Sequence, residues 1–201
     1  MKRWMLATLA LFAITGSVSA QVLTYSATTT GGPTWNRPDE GVPPTSLSGT
    51  GTATPFHAQP FYVTVGGNYS FQSTATSPVS WDNYLFLYSP DFNPTNPLAN
   101  ALIGNDDFPL PGDIGVSGFT FSLVPNTQYF LINTGFDNNE EGDFTVDVSD
   151  IPGGSDGIFL GTLAVPEPTT IALVTSVALG LVGYRYRSKF QGKMRLSTAR
   201  R

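Results

Sequence analysis

Between residues 21 and 164 the chain has no long apolar stripe of helical period. Each apolar run there is short, rich in β-branched and aromatic residues, and fenced by Gly, Pro, Asn or Asp. Runs of this kind bury their side chains as strands, so the sequence predicts an all-β domain. Residues 22–26 read as a first strand. Residues 28–55 are dense in Thr, Gly, Ser and Pro and read as a long extended or looped stretch. Residues 59–65 (QPFYVTV) and 69–75 (YSFQSTA) flank Gly66-Gly67-Asn68. That is a hairpin signal, because glycine supplies the positive φ of a tight turn without a steric penalty. Residues 81–88 (WDNYLFLY) are apolar on both faces, as a central strand must be. Strands over 101–103, 119–124, 128–134 and 144–149 complete the set, with Pro125-Asn126-Thr127 as a turn between two of them.

About eight short strands with turn-rich spacers fit a single antiparallel β-sandwich, jelly-roll-like in type. Residues 21–150 form the expected sandwich. Residues 151–164 hold four glycines and a proline, and read as a Gly-rich linker or a last edge strand.

The charges are sorted along the chain. Nine of the ten Lys and Arg residues lie in the two end segments, and Arg37 is the only one between. Fourteen of the fifteen acids lie between 21 and 164, so that region carries a net charge of −13. An acidic surface of this strength repels nucleic acid phosphates, which excludes DNA and RNA as partners. The absence of Cys excludes disulfides, thiolate metal sites and Cys nucleophiles. A single His excludes two-His metal centres.

The ends read as addresses. Residues 1–20 carry Lys2 and Arg3, an apolar core over 4–15, and Val18-Ser19-Ala20 with small residues where signal peptidase needs them. Cleavage before Gln21 is expected. Near the other end stand Pro166, Glu167 and Pro168, then residues 169–184 without a charge, then a tail that is basic throughout and has no acid. Sixteen helical residues reach about 24 Å, against roughly 30 Å of hydrocarbon. Arg185, Arg187 and Lys189 form a basic stop cluster whose long side chains can reach the interface and close the difference. The positive-inside rule places this tail in the cytoplasm and residues 21–164 outside. The transmembrane helix is then the precursor's membrane partner.

Pro166-Glu167-Pro168, a short apolar helix and an Arg-rich end, in that order, resemble a PEP-CTERM sorting signal over residues 165–190. The basic tail 191–201 runs on beyond the usual signal. The resemblance implies recognition by an exosortase, a membrane protein of transpeptidase type, and removal of the tail near the Pro-Glu-Pro motif. It implies an inner-membrane-anchored precursor and a mature form at the cell surface or in the extracellular matrix, associated with exopolysaccharide or biofilm. Proline on either side of Glu167 keeps that stretch extended and out of the following helix.

The middle resembles the pre-peptidase C-terminal type of β-sandwich over residues 56–150. The matching stretches are Gly67-Asn68-Tyr69-Ser70-Phe71, the 81–88 strand, Gly104-Asn105-Asp106-Asp107, residues 123–129 and Gly142-Asp143-Phe144-Thr145-Val146. That resemblance implies a non-catalytic module. Gly32-Pro33-Thr34-Trp35-Asn36-Arg37-Pro38 also resembles an opening found in PEP-CTERM proteins with this domain, with no chemistry attached.

Little in the sequence points to catalysis. There is no Gly-x-Ser-x-Gly elbow, no phosphate loop and no dinucleotide fingerprint. His57 stands alone at the edge of a loop, and no carboxylate pair is singled out for glycosidase chemistry. No cofactor is implied, with calcium the one ligand the donor set suits. Asn105, Asp106, Asp107 and Asp113 form one oxygen-rich patch, with Asp82 in the strand that leads toward it. Residues 137–143 form a second. The competing reading gives these residues turn chemistry and solubility as their only work. Trp35, Tyr62, Tyr84 and Tyr88 are the aromatics that could stack on sugars; in a sandwich, aromatics at alternating positions are more often core. The sequence therefore predicts a non-enzymatic exported surface or matrix protein. The alternative is a polysaccharide- or calcium-binding module with Trp35 and Tyr84 as ligand residues, and the remaining rival is a hydrolase with an unrecognised site.

Overall fold

Alternation of apolar and polar residues carries through into ten strands: β1 (Val22–Thr28), β2 (Thr34–Trp35), β3 (Thr54–Val63), β4 (Gly67–Ser77), β5 (Asn83–Tyr88), β6 (Ala101–Asn105), β7 (Val116–Leu123), β8 (Gln128–Gly135), β9 (Asp143–Ile151) and β10 (Ile158–Leu160). The computed structural model describes residues 22–151 and 157–164. The expected signal peptide, residues 152–156, Pro166-Glu167-Pro168, the apolar stretch 169–184, Arg185, Arg187, Lys189 and the tail 191–201 lie outside the described residues. Among the described residues no helix is long and apolar enough to cross a membrane.

The strands form two antiparallel sheets. One has the order β1-β9-β4-β7; the other has the order β10-β3-β8-β5-β6, with β2 added to the start of β3. Each sheet turns one face inward. Phe61, Val63, Leu85, Leu87, Tyr129 and Leu131 of the larger sheet meet Tyr69, Phe71, Phe119, Phe144, Val146 and Val148 of the smaller in one buried cluster. Burying a side chain of this size contributes roughly 1.5–3 kcal/mol. Four polar side chains sit inside that cluster and tie the sheets together. Asn83 Nδ2 and Asn133 Nδ2 of the larger sheet donate to Ser73 Oγ of the smaller (2.9 and 2.5 Å), and the Ser117 hydroxyl donates to the Asn83 carbonyl (2.6 Å). Such bonds cost little when satisfied and penalise any slip of one sheet over the other.

The hairpin expected around Gly66-Gly67-Asn68 is not formed. β3 and β4 belong to different sheets, and Phe61 and Phe71 meet across the core with ring centroids 5.8 Å apart. Two strands with one apolar face each can satisfy that pattern by pairing side by side or by facing one another, and here they face. Pro125-Asn126-Thr127 likewise crosses from one sheet to the other. The two crossings lie together: the Asn126 N–H donates to the Val63 carbonyl (2.7 Å).

β5 is buried along its whole length, as its two apolar faces require. Leu85 and Leu87 point between the sheets, and Tyr84, Phe86 and Tyr88 point outward. The outward face is covered by the Thr-, Gly- and Pro-rich stretch between β1 and β3, which lays Trp35 and Arg37 over it. Part of the expected 151–164 linker is sheet, because Ile158, Phe159 and Leu160 are an apolar triplet with an edge to join. β10 pairs with Phe61–Val63, and Phe159 stacks on Tyr62 at 5.3 Å.

Candidate functional site

Antiparallel pairing of β5 with β6 sets the site. The register Leu85↔Asn105 brings the residues before β5 and those after β6 to one end of the sheet. Asp82, Asp106 and Asp107 therefore converge: each offers a carboxylate oxygen, and these oxygens lie within 4.8 Å of one another. Asp106 and Asp107 border a cleft of about 560 Å³ whose other walls include Arg37, Asp39, Glu40, Tyr84 and Phe136.

The three carboxylates are unequal. One Asp106 oxygen is fully buried and accepts no hydrogen bond. Burial first, then the neighbouring Asp82 and Asp107 charges, push the Asp106 carboxyl up to about 7, against the pull of Arg37. Burial also raises Asp82, helped by Asp107 and Glu140 and opposed by Arg37 and the Gly115 N–H. Asp107 is better satisfied, since its Oδ2 accepts the Gly112 N–H at 2.5 Å. Asn105 holds the loop in place by donating through Nδ2 to the carbonyls of Asp107 (2.7 Å) and Gly118 (2.6 Å).

Arg37 is 2% exposed, and its N–H groups are spent on backbone. Nε and Nη2 donate to the Phe136 carbonyl (3.0 and 2.6 Å), and Nη1 donates to the Pro38 carbonyl (2.8 Å). The guanidinium lies over Tyr84 at 4.2 Å and over Phe136 at 5.1 Å. Gly51 makes room for it, because a Cβ there would stand 2.6 Å from Nε. Burial lowers the Arg37 pKa and Tyr84, Asp106, Asp39 and Asp82 raise it, in that order of size. One positive charge thus faces several carboxylates, which leaves the cleft negative.

Of the expected oxygen donors the structure brings some together and not others. Asp106 and Asp107 come together, and Asp82 joins them. Asp113 does not: its Oδ2 accepts the Leu110 N–H (3.3 Å) and closes its own turn. The 137–143 patch has local work. Asp137 accepts from the Asn139 N–H (2.7 Å), Asn138 Oδ1 from the Ala53 N–H (2.7 Å), Glu140 from the Asp82 N–H (2.8 Å) and Glu141 from the Gly31 N–H (3.3 Å).

Of the expected sugar-stacking residues Trp35, Tyr84 and Tyr88 are core, whereas Tyr62 is half-buried and stacks on Phe159. Trp35 is 3% exposed, is ringed by Phe56, Phe86, Tyr88 and Phe92, and donates its indole N–H to Thr134 Oγ1 (3.0 Å). Tyr84 borders the cleft, but Phe86 takes one ring face at 4.7 Å and Arg37 takes the other. Tyr88 is wholly buried, with its hydroxyl donating to the Pro97 carbonyl (2.6 Å). His57 packs edge-on against Phe144 at 5.7 Å, between the sheets; its Nδ1 is buried without a partner, and burial lowers its pKa. The carboxylate cluster lies on the opposite face of the larger sheet.

No protein-family model and no curated relative matches the chain. Among solved structures, the K1 cleaved adhesin domain of Lys-gingipain (Kgp) from Porphyromonas gingivalis W83 is similar at 15% identity over 71% of this chain and 99% of that one, with a TM-score of 0.29. An overlap this small assigns neither fold nor function to the protein.

Proposed function

We propose that this protein is an exported, non-enzymatic module of the cell surface or extracellular matrix, sorted by an exosortase-type membrane transpeptidase and associated with exopolysaccharide or biofilm. The observation that carries the reading is the order of Pro166-Glu167-Pro168, an uncharged apolar stretch and a basic tail, with every described acid on the other side of that motif. The site agrees with it in two respects. His57 is walled off between the sheets from the carboxylates, and Trp35, Tyr84 and Tyr88 are spent on core packing. Replacing Pro166, Glu167 and Pro168 together by Ala tests the sorting step. The wild-type chain is expected outside the inner membrane and the variant retained in it; equal fractionation of the two contradicts the reading.

A second reading, that the module also takes calcium, is favoured by the unpartnered, buried oxygen of Asp106 beside Asp82 and Asp107. Carboxylates are the donors a hard cation prefers. The three residues would hold the ion, and the ion would neutralise charges that now repel. Calorimetric titration with calcium checks it: binding by the wild-type chain that Asp106→Asn abolishes is expected, and absence of heat at millimolar calcium contradicts it.

A further inference from the structure

Sheet edges are places where another chain can pair, and proteins usually guard them. Among the described residues, three of the four edges are short or partly covered. The outer side of β3 carries β10, β2 and two further backbone bonds, Gly161 N–H to the Pro60 carbonyl (2.8 Å) and Phe56 N–H to the Pro33 carbonyl (3.0 Å). β6 is bridged by Gly41, which exchanges two hydrogen bonds with Gly104 (3.1 and 3.0 Å). β7 is covered over its first half, where Phe108 N–H donates to the Val116 carbonyl (2.9 Å) and Asn105 Nδ2 to the Gly118 carbonyl.

β1 is different. It is seven residues long and pairs with β9 along one side in unbroken register from Val22 to Thr28. Among the described residues, no backbone group is paired to its other side. Its sequence, VLTYSAT, holds none of the usual protections: no Lys, no Glu, no Pro and no bulge.

We propose that β1 pairs antiparallel with β1 of a second copy of this chain, across a two-fold axis, so that two four-stranded sheets become one of eight strands. The occupant follows from the strand itself. A partner of the same sequence sets no like charges opposite one another, because β1 carries none. A two-fold normal to the sheet keeps Leu23, Tyr25 and Ala27 on the core side of both copies and Thr24 and Ser26 on the solvent side of both. The contact is self-complementary and closes on itself, as the commonest symmetric dimers do.

The chain has no cysteine, so single cysteines report the contact directly. In full-length protein purified in mild detergent, whichever of Thr24→Cys, Tyr25→Cys and Ser26→Cys stands on the two-fold is expected to give a disulfide-linked dimer on mild oxidation, because only there does a residue face its own copy within disulfide reach. Gln72→Cys, inside the same sheet on β4, is expected to stay monomeric. Light scattering should give twice the monomer mass for the cysteine-free chain, falling to one with Thr24→Lys and Ser26→Lys together while the melting temperature of the folded unit is kept. A monomer at 100 μM overturns the proposal (a concentration set on the order of weak association). So does a dimer that the lysine pair leaves intact, since its contact must lie elsewhere.

Discussion

The Arg37 guanidinium lies 4.2 Å above the Tyr84 ring while two of its N–H groups donate to the Phe136 carbonyl. The only strong cation between residues 21 and 164 therefore holds the stretch between β1 and β3 onto the outer face of the larger sheet. Removing it strands the Phe136 and Pro38 carbonyls and a desolvated ring face. Arg37→Ala is expected to cost about 2–4 kcal/mol, from charge-assisted hydrogen bonds and a cation–π contact together. Arg37→Lys should recover little of this, because a point charge cannot reproduce the planar fork. Urea denaturation of both variants gives the comparison.

Trp35→Ala opens the same layer from the other end. The indole fills a space ringed by four aromatic side chains, so the expected loss is about 3–5 kcal/mol. Thermal unfolding measures it. Glycan binding by folded protein should be the same with Trp35→Phe as in the wild type, because Trp35 offers no exposed ring face.

Strand positions were legible because alternation survives any arrangement of the sheets. Which strands pair was not: Phe61 and Phe71 satisfy the same pattern whether β3 and β4 lie side by side or face to face, and a Gly-Gly-Asn turn permits both. Asp106 and Asp107 could be read as oxygen donors, and Asp82 as leading toward them. Asp113 could be read with them as a further oxygen donor, and only the folded turn shows the Leu110 N–H taking its carboxylate. The role of the 28–55 stretch was hidden because a cover needs no period; its sole cue was Arg37 standing alone among acids. Asn83 and Asn133 gave no signal either, since a buried amide looks like a turn residue until its partner, Ser73, is seen.

Gly104 faces the Phe86 ring so closely that a Cβ would lie 2.3 Å from two of its carbons. Gly104→Ala must displace a ring packed against Trp35 and Tyr84, and is expected to destabilise by about 1–3 kcal/mol. Chemical denaturation with an unchanged m-value would place the loss in the native state.

Two groups oppose one another in the pH dependence: Asp106, pushed up to about 7, contributes stability that is lost as pH rises through that value, and His57 does the reverse. Burial holds the His57 folded-state pKa below 6.5, so the unfolded chain binds the proton first as pH falls. The stability this neutral imidazole contributes is complete above pH 6.5 and is lost as pH drops through the lowered folded value. His57→Gln should flatten that part of the profile. A series of melts between pH 7.5 and pH 5 (spanning the ordinary His range) reads the slope in both proteins.

The intact mass of the protein recovered from outside the cell reads the sorting step itself. The expected chain begins at Gln21, ends near Glu167, and lacks the apolar stretch and the basic tail. A mass that runs to Arg201, on protein held in the inner membrane, contradicts it.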